Sequence, residues 1–367
     1  MSLIYYRARS RLRCFCFAGV LTMAVFAALR CSSTALSLPL SGNCPKILMF
    51  DGLEINTQNN ATMAQYWGQK IGVEGFFVGN VMGSWDDSVG DDENSPTYQS
   101  VKRFQELYSR YGVADNFIKV ALYTKHDWRT SADQARVISN FRQAAHLARF
   151  AGLKGLALDL EAYKVGYWNE DPAIPDKGER VFALGQAIGR AVISEFPDAT
   201  IIVLPEVLVF SCPPYDPGVC KAYALSSRFW DGLIQAHFKQ LVIATESSYD
   251  SGRPDLIAWE IQDTYQSSLR RNGVDPKKAS IALGVWPLAK TYTDKSARST
   301  PAQFEERLTL ALIEPSPYVW IYGHGSAWQT GGPYGKGDPV DPHFEEYVQV
   351  IHRVKKACST GGAALHP

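Results

Sequence analysis

Two carboxylates lie two residues apart at the end of the apolar segment Gly155 to Glu161 (GLALDLE). In an extended strand the side chains alternate between two faces, so Asp159 and Glu161 point to the same side, with Cα atoms about 6.5–7 Å apart. A buried Asp can raise the pKa of a neighbouring Glu, and a protonated Glu can act as a general acid. The spacing therefore predicts an acid catalyst. The alternative is structural: a hydrogen-bonded core Asp beside a Glu in a rim salt bridge.

Short apolar runs alternate with segments of helical periodicity along residues 36–367, which we interpret as one domain with its core at about 44–358. The runs cover residues 46–51, 75–80, 117–123, 155–161, 200–206, 240–246, 280–285 and 318–323. Near-continuous apolar strands that alternate with helices are typical of a buried parallel sheet. The pattern predicts an α/β fold, a single (β/α)₈ TIM barrel with long loops at its carboxyl-terminal face. A doubly wound sheet is the alternative, although no Gly-rich nucleotide loop follows the first strand.

The carboxyl ends of the strands carry polar and aromatic residues, and active sites of such barrels lie at these ends. Three strands end in Glu, and like charges in a narrow mouth raise one another's pKa, as a general acid requires. Aromatic rings beside acids suit a sugar site, because pyranose faces stack on rings. The predicted catalytic residues are Glu161, Asp159, Glu246 and Glu206. The predicted substrate-binding residues are Asp51, Asn80, Tyr123, Tyr249, Trp286, Trp320, Tyr322 and Trp328.

The segment GLALDLE resembles the fourth-strand signature Asp-Gly-x-Asp-x-Asp-x-Glu of the chitinase and endo-N-acetylglucosaminidase family. The match covers Gly155, Asp159 and Glu161, whereas Lys154 and Ala157 stand where the family has Asp. The resemblance implies a TIM-barrel glycoside hydrolase with Glu161 as the proton donor. It also implies that Asp159 orients the acetamido group of the substrate. The Ala at position 157 departs from the residues that substrate-assisted catalysis on N-acetyl sugars uses in that family.

Three later segments extend the resemblance in register along the barrel. Ser248-Tyr249-Asp250 resembles the family's Tyr-Asp pair, residues 276–287 resemble its seventh strand, and Trp320 resembles its eighth-strand tryptophan. These similarities imply that Tyr249 binds the acetamido group and that Trp320 forms the floor of a sugar subsite.

The second catalytic group is left open by the sequence. Strand seven ends in Gly284-Val285-Trp286-Pro287 without a carboxylate, which argues against the commonest retaining arrangement. Glu206, Glu246, Asp159 or the substrate itself can fill the role. A catalytically inert glycan-binding barrel, or another exported barrel hydrolase or lyase, are the competing functions.

The amino terminus has the pattern of an export signal in residues 1–35. A basic region with Arg at positions 7, 9, 11 and 13 precedes a 16-residue apolar run, and Ser33-Thr34-Ala35 provides small residues for cleavage. The run is shorter than the roughly 20 residues that span a bilayer, so we expect no stable membrane span after removal of the signal. This predicts a secreted, periplasmic or extracellular protein. An uncleaved membrane anchor and lipidation at Cys31 are the alternatives.

Four cysteines follow the signal, and an even count in an oxidising compartment indicates disulfides. Of three possible pairings, Cys212 with Cys220 and Cys44 with Cys358 are favoured, because the first pair flanks a short loop and barrel closure brings the second pair together. Their spacing lacks a zinc pattern, so we expect neither metal nor cofactor. The charges balance at 37 basic and 37 acidic residues. That balance gives no indication of nucleic acid and suits a neutral carbohydrate substrate.

Overall fold

The computed structural model describes residues 44–50, 55, 59–122, 130–161, 167–206, 221–249, 251–288, 299–323, 328 and 344–360. The predicted export signal with Cys31, the predicted site residues Asp51 and Tyr123, Asp250, and the pair Cys212 and Cys220 lie outside the described residues.

Eight parallel strands close into a barrel in chain order, and the last strand pairs with the first. This confirms the predicted (β/α)₈ barrel and rules out the doubly wound sheet, which has two open edges. The strands are β1 Lys46–Phe50, β2 Gly75–Met82, β3 Phe117–Ala121, β4 Gly155–Asp159, β5 Thr200–Leu204, β6 Gln240–Thr245, β7 Ala279–Val285 and β8 Tyr318–Tyr322.

A helix follows each strand. The helices are α1 Ala61–Gln65, which continues as a π-helix over Tyr66–Ile71, α2 Pro96–Ser109, α3 Ser131–Ala151, α4 Lys177–Glu195, α5 Ser226–Ile234, α6 Pro254–Arg271, α7 Pro301–Ile313 and α8 Phe344–Ser359. The predicted start of α7 is confirmed: Thr300 forms a capping box with Gln303, and Pro301 occupies the first turn.

Alternate residues of each strand face two different apolar clusters. On β4, Leu156 and Leu158 pack in the large cluster between the sheet and the helices, whereas Ala157 belongs to the interior of the barrel. The interior cluster contains Leu48, Phe77, Phe117, Ala157, Ile202, Leu204, Val242, Ala244, Ala282, Tyr318 and Trp320. Asp159 has the same parity as Ala157, so the strand directs its carboxylate into the barrel.

Six strands end one or two residues earlier than the sequence predicts, whereas β7 ends at the predicted residue and β2 continues to Met82. The last pairing between β4 and β5 joins Asp159 to Leu204, so Glu161 and Glu206 each lie two residues beyond a strand. Glu246 follows directly after β6. These residues therefore stand on the first turn of a loop at the carboxyl-terminal mouth of the barrel, where backbone pairing no longer fixes them.

A disulfide joins Cys44, just before β1, to Cys358 in α8, which confirms that predicted pairing. The Cα atoms are 5.8 Å apart, within the range that a disulfide spans, and the two residues are separated by 314 positions. The bond therefore joins the first and last segments of the barrel chain, on the face opposite the mouth. Within the described residues, no helix is sufficiently long and apolar to cross a membrane.

Loss of this cross-link is expected to destabilise the barrel without altering the mouth. The double variant Cys44→Ser/Cys358→Ser should lose about 2–5 kcal/mol of unfolding free energy, because a long loop in the unfolded chain is no longer closed. Denaturant unfolding of the variant and of the wild type, each with and without reductant, measures the loss. Reductant should lower the stability of the wild type by more than that of the variant, in which the predicted Cys212–Cys220 bond alone remains to be reduced; an equal effect on both proteins would contradict the assignment.

Candidate active site

The strand-four carboxylates lie together at the mouth of the barrel. Asp159 is 1 % exposed, and Glu161 is partly exposed above it. The backbone N–H of Glu161 donates to Oδ1 of Asp159 over 3.4 Å. This local hydrogen bond folds the chain just past β4 and keeps the two side chains next to each other.

Lys119 on β3 is a third member of this group, and it is not among the site residues predicted from the sequence. Its Nζ lies 3.7 Å from Oδ2 of Asp159 and 4.6 Å from the centre of the Phe50 ring. A signal existed, because Lys119 is the one charged residue in the apolar run of residues 117–123 and shares the parity of the interior residue Phe117. A lysine on the inner face of a buried strand needs a partner.

Burial and the neighbouring charges determine the protonation of this group. Desolvation and, to a smaller extent, the negative charge of Asp159 raise the pKa of Glu161 to about 8, although Lys119 opposes both effects. Desolvation also raises the pKa of Asp159, while Lys119 and the backbone N–H of Glu161 lower it. Glu161 therefore holds its proton at neutral pH, which is the state that a general acid requires.

Glu206 uses both of its carboxylate oxygens to accept backbone hydrogen bonds. Its two carboxylate oxygens accept from the N–H groups of Glu246 at 2.7 Å and of Ser247 at 2.8 Å, and the residue is 1 % exposed. The carboxylate thus ties the loop after β5 to the loop after β6. This geometry makes Glu206 a brace for the position of Glu246.

Glu246 lies within electrostatic reach of the other carboxylates. Desolvation raises the pKa of Glu246 well above its usual value, and the charges of Glu161, Glu206 and Asp159 add to the increase. Because Glu161 and Glu246 disfavour each other's ionisation, they release their protons in separate steps.

A hydrogen-bonded turn after β6 positions Tyr249. Within this turn the hydroxyls of Thr245 and Ser248 lie 2.6 Å apart. The Ser248 hydroxyl donates to the carbonyl of Gly284 at 2.8 Å and accepts from its N–H at 2.9 Å. The backbone N–H of Tyr249 then donates to the carbonyl of Glu246 at 3.1 Å. Glu246 and Tyr249 are therefore fixed by one turn that is attached to β7.

Aromatic side chains form a wall beside the carboxylates. Tyr249 stacks on Tyr322 with ring centres 5.3 Å apart and packs edge-on against Trp320 at 5.1 Å and Trp286 at 5.7 Å. The Tyr249 hydroxyl and the Trp320 Nε1–H are buried without a hydrogen-bond partner among the described residues. Buried donors of this kind are exceptional in folded proteins and are suited to bind a polar ligand.

Gly284 makes room for the Trp320 indole inside the barrel. A Cβ atom at this position would lie 2.4 Å from the carbonyl oxygen of Thr245 and 2.8 Å from Cε2 of Trp320. Gly284 is also the register partner of Trp320 between β7 and β8. Because Gly284 has no side chain, the large indole of Trp320 on β8 can fill the mouth.

Two further predicted site residues are Asn80 and Trp328. Asn80 is exposed at an irregularity of β2 between Val78 and Met82, where its φ of 60° is in the left-handed region that Asn tolerates. Trp328 is fully buried, with ring centres 6.3 Å from Phe304 and 5.9 Å from Phe344. It packs against α7 and α8 on the helical side, so it supports the outer layer. Within the described residues, no group of three His, Cys, Asp or Glu side chains is arranged to hold a metal ion.

Solved structures share the barrel at low sequence identity. An endo-β-1,4-mannanase from Thermotoga petrophila is 11 % identical, with a TM-score of 0.52 over 89 % of this chain and 80 % of that chain. A GH18 chitinase from Pseudoalteromonas aurantia is 12 % identical, with a TM-score of 0.43 over 84 % of this chain and 99 % of that chain. An endo-β-N-acetylglucosaminidase from Cordyceps militaris is 12 % identical, with a TM-score of 0.43 over 86 % and 92 %.

The latter two proteins carry the family names that the fourth-strand motif suggests, and the resemblance is distant. At these identities, the similarity to the mannanase shows the fold alone. No protein-family model matches the chain, and no curated protein matches it.

Adding a methyl group at Gly284 should displace the Trp320 ring. Gly284→Ala is expected to cost about 1–3 kcal/mol of unfolding free energy, because the new atom overlaps a backbone carbonyl and the indole. Chemical denaturation and near-ultraviolet circular dichroism measure the two effects. Gly79→Ala on β2 is the matched control, since a Cβ there meets no atom within 4 Å. Equal losses in the two variants would argue against a tight fit at Gly284.

The raised pKa of Glu161 also predicts how stability depends on pH. The folded protein binds this proton more tightly than the unfolded chain, so stability falls as pH rises from about 4.5 towards 8. Glu161→Gln removes that cost. The variant should match the wild type near pH 4 and exceed its unfolding free energy by roughly 2–4 kcal/mol at pH 9. Denaturant titrations at both pH values test this, with Glu106→Gln on the exposed side of α2 as the control; a parallel pH dependence in all three proteins would refute it.

Proposed function

We propose that the protein is an exported glycoside hydrolase in which Glu161 is the general acid. The observation that carries the proposal is the carboxyl pair at the end of β4: Asp159 and Glu161 face the barrel interior at its mouth, and the pKa of Glu161 is raised to about 8. In the reaction, Glu161 gives its proton to the glycosidic oxygen as the bond between that oxygen and the anomeric carbon breaks. The electron pair stays on the leaving oxygen, and water supplies the new bond to the anomeric carbon.

Glu246 is the partner carboxylate in this proposal. Glu206 is a poor candidate because both of its oxygens already accept backbone N–H groups. Glu246 and Glu161 raise each other's pKa, so over a range of pH the pair holds one proton between two carboxyls. One protonated and one ionised carboxyl is the combination that glycosidases use. Glu246 then acts either as a base towards water or as a nucleophile towards the anomeric carbon.

The aromatic wall supplies a binding surface for a sugar. The stacked rings of Tyr249 and Tyr322 and the indole of Trp320 surround the carboxylates with flat apolar faces. The unpartnered hydroxyl of Tyr249 and the Nε1–H of Trp320 can donate to sugar oxygens. This combination of flat faces and directed donors favours a carbohydrate over a charged or purely apolar ligand.

Ala157 favours a second candidate, a glycan-binding barrel without catalysis. Ala157 lies where the resembling family has an Asp, and its register partner on β3 is Lys119. A barrel that has lost an acid but retains its aromatic wall can bind a glycan without cleaving it. Turnover on a panel that includes mannan, chitin oligosaccharides and aryl glycosides separates the two functions, because an inert barrel binds and leaves the glycan intact.

Export is the further part of the proposal. The Cys44–Cys358 disulfide supports it, because disulfides persist in oxidising compartments. The 16-residue apolar run and its small-residue cleavage pattern give the same indication from the sequence. Amino-terminal sequencing of the protein recovered from the medium or periplasm tests this, and a chain that retains residue 1 would contradict cleavage.

The leaving group distinguishes an acid catalyst from its partner. Glu161→Gln should lower kcat by roughly 10²–10⁴-fold on glycosides with poor leaving groups. The loss should shrink on activated aryl glycosides, whose leaving group needs little protonation. Glu246→Gln should lower kcat similarly on both substrate types, because the base or nucleophile is needed whichever group leaves. Steady-state kinetics on matched alkyl and aryl glycosides measure the difference.

Two outcomes of these kinetics would change the assignment. A leaving-group dependence in Glu246→Gln instead of Glu161→Gln would exchange the two roles. Wild-type turnover by Glu161→Gln on a natural glycan would remove Glu161 from the mechanism. Glu106→Gln serves as the control, since that side chain lies on the outer surface of α2.

A further inference from the structure

Lys119 lies in the mouth of the barrel and has no role in the function proposed so far. It is the middle residue of β3. Its register partner on β4 is Ala157, and the next inward-facing pair is Ala121 with Asp159. The small Ala157 side chain leaves space beside the Lys119 stem, and the ammonium group reaches the carboxylate one layer above. A carboxylate at position 157 would instead compete with Asp159 for this cation. Compared with the family signature, the barrel interior therefore lacks the acidic side chain at position 157 and has the basic side chain of Lys119 beside that position.

Asp159 has few other partners for its charge. It is 1 % exposed, and the other described hydrogen bond to its carboxylate is the long one from the backbone N–H of Glu161 at 3.4 Å. An ionised carboxylate in such a position is costly without a counter-ion. Lys119 Nζ lies 3.7 Å away, and the Lys119 side chain keeps 22 % of its surface exposed, so the ammonium group stays partly hydrated. The face of the Phe50 ring also attracts the ammonium group, which lies 4.6 Å from its centre.

We propose that Lys119 is a positioning residue that keeps Asp159 ionised and thereby leaves the transferable proton of the strand-four pair on Glu161. The inference rests on the proposed function, because it names the group that sets the proton position for the same acid. Without Lys119, the desolvated Asp159 would take up a proton as well, and both carboxyls of the pair would be protonated at neutral pH. With Lys119, Asp159 remains an anion, and the negative charge left on Glu161 after proton transfer is partly offset by a nearby cation.

The titratable groups around the pair come from three further elements. Glu206 follows β5, Glu246 and Tyr249 follow β6, and Tyr322 ends β8. The charges of both carboxyls of the pair act on Glu246, and together with burial they raise its pKa well above the usual value. Tyr249 is protonated at neutral pH, because burial raises its pKa well above the usual value. Lys119 is thus the cation that acts on the pair among the described residues.

Infrared spectroscopy tests the proposal without a substrate, since protonated carboxyls have a distinct C=O stretching band. Lys119→Met keeps the length of the side chain and removes its charge. At neutral pH this variant should show one more protonated carboxyl than the wild type, and the additional band should vanish in Lys119→Met/Asp159→Asn. Lys119→Arg should behave like the wild type. Lys102→Met is the matched control, because Lys102 Nζ also lies over a phenyl ring, that of Phe150 at 5.0 Å, outside the barrel.

Two results would overturn the role of Lys119. The first is an unchanged carboxyl signal in Lys119→Met, or an equal change in Lys102→Met. The second requires no lysine variant and so remains decisive if Lys119→Met fails to fold. In a Glu161→Gln background, where the proton of Glu161 no longer contributes, adding Asp159→Asn should remove no protonated-carboxyl band at neutral pH. A band lost on that addition would mean that Asp159 is already protonated beside Lys119.

The pH dependence of turnover connects this charge to catalysis. Removing a cation raises both proton-release steps of the pair, so the acidic and basic limbs of the kcat profile should move up by about one pH unit in Lys119→Met. Lys119→Arg should restore the limbs, whereas a merely structural role would lower activity without moving them. Because the infrared signal needs no substrate, failure of every glycan as a substrate would reject the hydrolase alone. An unchanged signal in an active enzyme would reject Lys119 alone.

Discussion

Closure of the sheet, through the pairing of β1 with β8, is the constraint on which the site depends. Five consecutive residues of β1 pair with five of β8, so the barrel has no open edge and its interior is narrow. Large rings such as Phe77 and Trp320 fill that interior. Any carboxylate that the strand parity directs inward is therefore desolvated. The raised pKa values at the mouth follow from this geometry before any individual charge is considered.

The loops at the mouth are held by side chains that accept backbone N–H groups. Glu206 holds the start of the loop after β6, and Ser248 joins the same loop to Gly284 on β7. These bonds replace the strand pairing that ends a residue or two earlier. Glu246 and Tyr249 are consequently fixed relative to Trp320, although they belong to a loop. A site that must hold a sugar against a proton donor needs such fixed positions.

The sequence predicted the parts of this arrangement that depend on periodicity. The positions of the eight strands and the joining of Cys44 to Cys358 follow from alternation and barrel closure. Roles set by contacts between distant loops could not be predicted in this way. Nothing in the local sequence distinguishes Glu206, which braces a loop, from Glu246, which faces the other acids. Trp328 is similar: an aromatic residue after β8 can turn to the mouth or to the helices, and the packing of α7 and α8 decides.

The cross-link between Cys44 and Cys358 stabilises the barrel from the face opposite the mouth, so the bond that holds the chain ends together is remote from the carboxylates. The two Cα atoms are 5.8 Å apart on the face opposite the carboxylates. A short peptide can span that distance, so the polypeptide is suited to circular permutation: a linker replaces the disulfide, and new chain ends open between a helix and the strand that follows it. Such connections lie on the same remote face, as at Gly152 between α3 and β4. The order of the elements along the chain can therefore be rearranged while the mouth is left intact.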